Sequence, residues 1–242
     1  LVTWLLQATL FALLLLAGAM TLYLAMLALA AAVHPRRRDI AGRFGGERSP
    51  RTRFLVLIPA HNEAMVLGPV LDRFADQRYP DTHVERVVIA DNCNDDTAAI
   101  ARAHGASVLE RTDPDRRGKG HALDWALRGP LAVWPRPYDA VTVMDADSIL
   151  NPDFFWFMDE ALRAGGHEVL QAYYGVWNPL EHWRTSLAAA ALAVFHFLRP
   201  LGRARLGLSC GLKGHGMAFT RRLAQRYGYP AFSPVEALDL AL

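Results

Sequence analysis

Two aspartates, Asp145 and Asp147, stand one small residue apart at the end of an apolar run, Ala140-Val141-Thr142-Val143-Met144. In an extended chain residues i and i+2 point the same way, so both carboxylates can face one ligand. Brought together they repel unless a cation sits between them. Hard oxygen donors select Mg²⁺ or Mn²⁺ over zinc, and such ions are usually shared with substrate phosphates. An ion held there would bind a diphosphate and neutralise the charge that develops as it leaves. Alone, the same spacing also serves a helix cap at Ser148 or Asn151.

Three further segments narrow the chemistry. IPAHNE (58–63) places Pro59, Ala60, Asn62 and Glu63 where an apolar run turns into a helix, and VVIADNCNDDTA (87–98) closes a second run on Asp91. Acidic groups at such points accept hydrogen bonds from a base N–H or from ribose hydroxyls. Asn94, Asp95 and Asp96 read better as helix caps. In RRGKGHALDWAL (116–127), glycines on both sides of Lys119 allow close backbone approach. Its ammonium would serve as a point charge on a phosphate. Taken singly, that turn is a solvated basic loop.

The elements that must hold these groups alternate. Phe54–Ile58, Val87–Ala90, Ser107–Leu109 and Ala140–Met144 read as strands, the first two apolar throughout, as in strands buried on both faces. Helices are expected over 63–77, 95–104 and 119–127. This alternation predicts an α/β fold with a mostly parallel sheet and helices on both sides. In such sheets ligands bind outside the carboxyl ends of the strands, and that is where the polar residues gather. Beyond Asn151 the pattern loosens: 168–174 reads as a strand. Leu187–Leu198 reads as a core or membrane-surface helix, too short to span a bilayer. Arg199, Arg203 and Arg205 follow it, suited to anionic head groups, a phosphorylated ligand or a solvated loop.

Residues 1–33 contain no charged side chain, so all 26 lysines and arginines and all 24 aspartates and glutamates lie beyond them. As a helix this segment is about 50 Å long, against about 30 Å of hydrocarbon. It is longer than the apolar region of a cleaved signal peptide and has no polar face, which predicts a transmembrane helix. His34-Pro35-Arg36-Arg37-Arg38 follows, and arginines beside a span mark the cytoplasmic side. The expectation is a single pass in the plasma (inner) membrane, a Gly- and Arg-rich linker over 34–52, and a cytosolic domain over 53–242. Cys93 and Cys210 then lie in a reducing compartment as thiols. A net charge of +2 and the lack of an arginine stripe interleaved with aromatics point to no nucleic-acid partner.

In this order, the four segments IPAHNE, VVIADNCNDDTA, RRGKGHALDWAL and VMDADS (143–148) resemble glycosyltransferase family 2, the group that includes cellulose, chitin and hyaluronan synthases. GLKGHGMAF (211–219) is similar to the family's acceptor-side loop. The resemblance implies a GT-A fold, Rossmann-like, and a nucleotide-diphosphate sugar donor, most often UDP-linked. It also implies inversion at the anomeric carbon and a lipid or saccharide acceptor at the membrane. It places Pro59, Ala60, Asn62, Glu63 and Asp91 in the nucleoside pocket and Lys119 near the diphosphate. Asp145 then serves ribose and metal, and Asp147 the Mg²⁺ or Mn²⁺ ion.

The chain departs from the family pattern near its end. Members carry a Glu-Asp pair whose Asp deprotonates the acceptor hydroxyl. SPVEALDL (233–240) is similar to that segment, but Ala237 stands where the Asp is expected. Glu236 lies about 100° round a helix from that position and Asp239 about 200°, so Glu236 is the residue with reach. Two other readings compete: a base-deficient variant that binds nucleotide sugar without efficient turnover, and a nucleotidyltransferase. The latter needs a glycine- and basic-rich loop straight after the first strand, which IPAHNE does not supply. Up to Leu242 there is no Gln-x-x-Arg-Trp segment or further span, so polymer synthesis and secretion are not expected of these residues.

Overall fold

The computed structural model describes residues 2–33, 49–164, 167–209 and 211–229. In chain order the elements are α1 (Val2–Ala32), β1 (Phe54–Ala60), α2 (Leu67–Asp72), β2 (Val84–Asp91), α3 (Thr97–Ala103), β3 (Ser107–Arg111), α4 (Lys119–Arg128) and β4 (Ala140–Val143). They continue with α5 (Phe154–Ala164), β5 (Val169–Gln171), α6 (Trp183–Arg205), β6 (Met217–Thr220) and α7 (Arg221–Tyr227). Two compact units result. One comprises Leu1–Glu47 with Tyr173–Cys210, the other Arg48–Ala172 with Gly211–Leu242.

The larger unit is built on a six-stranded sheet in the order β3-β2-β1-β4-β6-β5. The first four strands are mutually parallel, and β6 runs antiparallel to both β4 and β5. A mostly parallel sheet with flanking helices is what the alternation predicts. Side chains of β1 divide by parity: Phe54, Val56 and Ile58 join Leu71, Val88 and Phe155 on one face. Leu55 and Leu57 join Ile89, Leu123, Val141 and Val143 on the other. Burial on both faces is why β1 reads as an unbroken apolar run. Truncating one such side chain to Ala costs about 2–5 kcal/mol.

Some boundaries differ from the sequence expectation. The helix expected over 63–77 shortens to α2 followed by a 3₁₀ turn at Arg73–Asp76. It starts late because the residues after β1 are bound to the loop after β2. The strand expected over 168–174 narrows to β5, and α5, β6 and α7 were not foreseen.

In the smaller unit, α1 is a 31-residue helix. Helix α6 begins at Trp183, passes through a π-helical stretch at Ala193–Leu198 and ends as α-helix at Arg199–Arg205. It is longer than the apolar run that announced it, and Leu187, Phe195 and Phe197 stay exposed. A core helix is thereby ruled out for it. Both α1 and α6 are long and apolar enough to be candidate membrane spans.

Candidate active site

The order 3-2-1-4 reverses direction between β1 and β4, which makes that pair the switch point where open α/β sheets bind ligands. The two strands do not end level. Pairing with β4 stops at Leu57, opposite Val143, while β1 continues beside β2 to Ala60. Pro59 lies in that overhang, where its missing N–H costs no bond to β4. A cavity of about 490 Å³ opens above the end of β4.

Its walls come from four places in the sequence. Pro59, Ala60, His61 and Glu63 follow β1; Asp91 and Asn92 end β2; Arg117, Gly118 and Lys119 open α4; Asp145, Ala146 and Asp147 follow β4. Every expected nucleotide- or metal-binding residue among the described residues borders it except Asn62. A second concavity, of about 350 Å³ beside Leu71, Phe74, Arg86 and His104, lies away from these strand ends.

Asn62 instead ties the loops together. Its φ of 57° is in the left-handed region, which asparagine tolerates better than most residues. Its Oδ1 accepts a hydrogen bond from the Asn94 amide at 2.9 Å. Asp95 completes the clamp, accepting from Ala64 N–H at 3.1 Å, Thr97 N–H at 3.0 Å and the Thr97 hydroxyl at 2.5 Å. Thr97 Oγ1 also accepts from Glu63 N–H at 2.8 Å. Donation by the Thr97 hydroxyl, with smaller help from backbone N–H groups, holds the Asp95 carboxyl below the ordinary aspartate value. Of the three expected caps, Asp95 thus does the capping, while Asp96 sits at the cap position without a side-chain bond.

Asp91 is fixed laterally. Its register partner in β3 is Arg111, whose guanidinium donates to Asp91 Oδ1 at 2.6 Å and to Asp113 Oδ2 at 2.8 Å. Asn92, at φ 52°, donates from Nδ2 to Asp91 Oδ1 at 3.0 Å and accepts from the Asp113 amide at 2.8 Å. Arg111 was missed from sequence. The signal that would have found it is its position at the C-terminal end of a strand beside an acidic strand end.

The aspartate pair differs from its expected form. Strand β4 ends at Val143, and Asp145 opens a turn closed by Ser148 N–H to Asp145 O at 3.2 Å. A turn, rather than an extended strand, brings both carboxylates to the cavity. Asp147 is exposed and Asp145 partly buried. Asp145 accepts a charge-assisted bond from Lys119 Nζ. Gly118, at φ 109°, permits the turn that starts α4 with Lys119 as its first residue, a conformation costly for any side chain.

The segment 211–216 meets the same aspartate. Gln171 pins it, accepting from Lys213 N–H at 2.8 Å and donating to His215 O at 2.8 Å. His215 Nδ1 accepts the Asp145 amide proton at 3.1 Å and lies 3.6 Å from Asp145 Oδ2. An Nδ1 that accepts cannot also donate to the carboxylate, so His215 orients the backbone of the turn. His215 belongs to the GLKGHGMAF segment, where sequence alone gives it no partner.

Among the described residues, no group of three or more His, Cys, Asp or Glu side chains is arranged to hold a metal ion. Asp145 and Asp147 still fit Mg²⁺ or Mn²⁺ in one form, in which diphosphate oxygens and water complete the shell. Zinc, with its closed set of nitrogen and sulfur ligands, is a poor match. Glu236 and Ala237 lie outside the described residues.

Comparison with known proteins agrees with this architecture. A family model described as "Glycosyltransferase like family 2" matches residues 50–240. A 4,4'-diaponeurosporenoate glycosyltransferase of Staphylococcus haemolyticus is 29% identical over 177 residues, covering 68% of this chain and 41% of the relative. The protein of that name from Staphylococcus aureus (strain USA300) is 37% identical over 70 residues, 28% of this chain and 18% of its own. The chain therefore spans less than half the length of these curated relatives. Among solved structures, the mannosyltransferase PcManGT from Pyrobaculum calidifontis, in complex with GDP-Man and Mn²⁺, superposes with a TM-score of 0.60 at 22% identity. That match covers 89% of this chain and 56% of the other, and it establishes a GT-A-like fold.

Proposed function

The chain belongs to glycosyltransferase family 2, and on that premise we propose that it transfers a sugar from a nucleotide-diphosphate sugar to an acceptor at the cytosolic face of a membrane. The observation that carries this reading is the convergence of Asp91, Lys119, Asp145 and Asp147 on one cavity at the switch point of the sheet. A nucleoside set between the β1 and β2 ends meets Asp91 and Glu63 as acceptors for its base or ribose N–H and O–H groups. Its diphosphate then reaches Lys119 and the aspartate turn.

A bound divalent ion, held by Asp145 and Asp147, would supply positive charge to the departing diphosphate. The chain's own residues do the rest. Lys119 places a second cation beside the phosphates, and the Asn62–Asp95 clamp holds the nucleoside wall in shape. The acceptor oxygen attacks the anomeric carbon from the side opposite the leaving diphosphate, which inverts that centre. Support for the donor class comes from PcManGT, bound to GDP-Man; UDP sugars are the family's commonest donors. The staphylococcal relatives are named for transfer involving 4,4'-diaponeurosporenoate, in keeping with an acceptor met at a membrane. Helix α1 is the proposed anchor, a single pass with the arginines of 36–38 inside.

Ala237 favours a second reading, in which the chain binds donor without efficient turnover. Loss of a general base lowers rates by about 10²–10⁴-fold while leaving binding intact. Release of UDP or GDP from a panel of UDP and GDP sugars, measured for the chain and for Ala237→Asp in native membranes, separates the two. Release by both supports transfer with Glu236 as base. Release by Ala237→Asp alone supports the binding-only reading. Release by neither, together with no nucleotide binding, would sink the glycosyltransferase assignment.

A further inference from the structure

Asp145 is held from the cavity side by Lys119 and from the sheet side by a row of residues that ends on Gln171. In the antiparallel ladder of β4 and β6, Val143 pairs with Met217, and Met217 pairs in turn with Gln171 at the end of β5. Two residues after Val143 comes Asp145; two residues before Met217 comes His215. Antiparallel register therefore sets Asp145 and His215 opposite each other just past the end of the ladder. The backbone closes the row, with Gly216 N–H donating to Val143 O at 2.9 Å and Ala172 N–H donating to Gly216 O at 2.7 Å.

Ahead of β6 the chain leaves strand geometry. Gly214 and Gly216 have φ of 76° and 62°, in the left-handed region that glycine adopts at little cost. That turn takes the Lys213 N–H and the His215 carbonyl out of the β5–β6 ladder, which stops at Met217. Gln171 serves both from its side chain. Its Oε1 accepts from Lys213 N–H at 2.8 Å, and its Nε2 donates to His215 O at 2.8 Å and to Ala172 O at 2.9 Å. One amide thus does for the turn what a neighbouring strand does in a ladder. A donor and an acceptor side by side on one planar group is what a Gln or Asn side chain offers, and Asn is one methylene shorter. His215, with its side chain only 12% exposed, passes the constraint on, because its Nδ1 accepts the Asp145 amide proton at 3.1 Å.

We infer that Gln171 is a positioning residue for the diphosphate and its ion, acting through His215 on the direction of the Asp145 carboxylate. Neither Gln171 nor His215 is among the described residues that line the cavity, so the effect is indirect. Groups that stand behind a metal-binding side chain orient it, and replacing them typically costs about 10–100-fold in metal affinity or activity. The nucleoside wall does not share this support. Its acceptors Asp91 and Glu63 follow β2 and β1 and are held by Arg111 and Thr97. The inference rests on the proposed nucleotide-sugar site and assigns part of its grip on the diphosphate to a side chain outside it.

The test is calorimetric titration of the full detergent-solubilised chain beside Gln171→Met, His215→Ala and the pair. The titrants are UDP and GDP with Mn²⁺, then uridine and guanosine. Met keeps the length of the side chain and removes every amide bond. Fitted stoichiometry reads the folded fraction apart from the affinity, and Gln171→Asn takes the place of Gln171→Met if that variant does not fold. Either single variant is expected to bind the parent's diphosphate about 10–100-fold more weakly, with nucleoside affinity kept. The pair should lose no more than the larger single loss, because residues acting along one route are not additive. Full diphosphate affinity in the Gln171 variant would overturn the inference, and so would an equal loss for the nucleoside. Additive losses in the pair would overturn the route through His215. Failure of the parent chain to bind either diphosphate would remove the proposed site itself, and the inference with it.

Discussion

The Arg111 guanidinium and the Asp91 carboxylate meet at 2.6 Å with their side chains only 5% and 8% exposed. They are register partners on adjacent strands, so the sheet itself sets the pair, and Arg111 fixes the direction in which Asp91 faces the cavity. Breaking a buried pair from one side leaves an uncompensated charge and costs about 3–5 kcal/mol. Arg111→Met is therefore expected to lower stability by that order and to weaken nucleotide binding. Arg111→Lys should recover much of the stability but less of the binding, since a point charge cannot bridge Asp91 and Asp113 as a planar fork does. Urea melts beside nucleotide titrations separate the two effects.

We propose that Asn62 acts by holding the loop, through its bond from the Asn94 amide. Asn62→Ala removes the bond to Asn94 and leaves a left-handed backbone to a residue that resists it, costing about 1–2 kcal/mol. Nucleotide affinity should fall by about tenfold, the equivalent of 1.4 kcal/mol. Asn62→Gly, free of the backbone strain, should restore part of it. Equal loss in both variants would point to direct ligand contact by the amide.

Acid should loosen the same clamp. The Asp95 carboxyl titrates below its ordinary value because the Thr97 hydroxyl donates to it. A depressed folded-state value means the contribution is present above the unfolded aspartate pKa of about 3.9 and is lost as pH falls through the folded one. Melting temperatures from pH 6 down to pH 3 should decline less steeply for Asp95→Asn than for the parent chain. Parallel declines would remove Asp95 from the account.

Lys119 is the diphosphate's proposed cation, and it is paired with Asp145. Charge-assisted hydrogen bonds contribute about 1.5–3 kcal/mol, so Lys119→Met is expected to weaken UDP or GDP binding by roughly 10- to 100-fold. Uridine or guanosine, which lack phosphate, should bind both forms alike. A loss shared by nucleoside and nucleotide would place Lys119 at the base instead.

Much of this site was legible because its residues end apolar strands. Pro59, Glu63, Asp91, Asp145 and Asp147 fall where a buried run meets a polar turn, and parallel-sheet topology sends such ends to one edge; Lys119 was visible instead as the cation between two glycines at a helix start. Asn62 and Asp95 were visible as residues but not in their roles, because those roles depend on a loop-to-loop bond across a separation of about thirty residues. Arg111 and His215 were hidden for the same reason: strand register makes the first a partner of Asp91, and an antiparallel return through β6 brings the second to Asp145. The length of α6 was obscured by its composition. Arg199, Pro200 and Arg203 interrupt the apolar run, yet Pro200 sits in the π-to-α junction and the helix continues to Arg205.

The central claim is that the cavity at the ends of β1, β2 and β4 binds a nucleotide diphosphate with help from the aspartate turn. Calorimetric titration of the detergent-solubilised chain with UDP and with GDP, in Mn²⁺ and then in EDTA, beside Asp147→Ala, tests it most directly. The account predicts binding of one nucleotide that needs the ion and is lost or sharply weakened in Asp147→Ala. Binding of neither nucleotide, or binding indifferent to both the ion and Asp147, would contradict it.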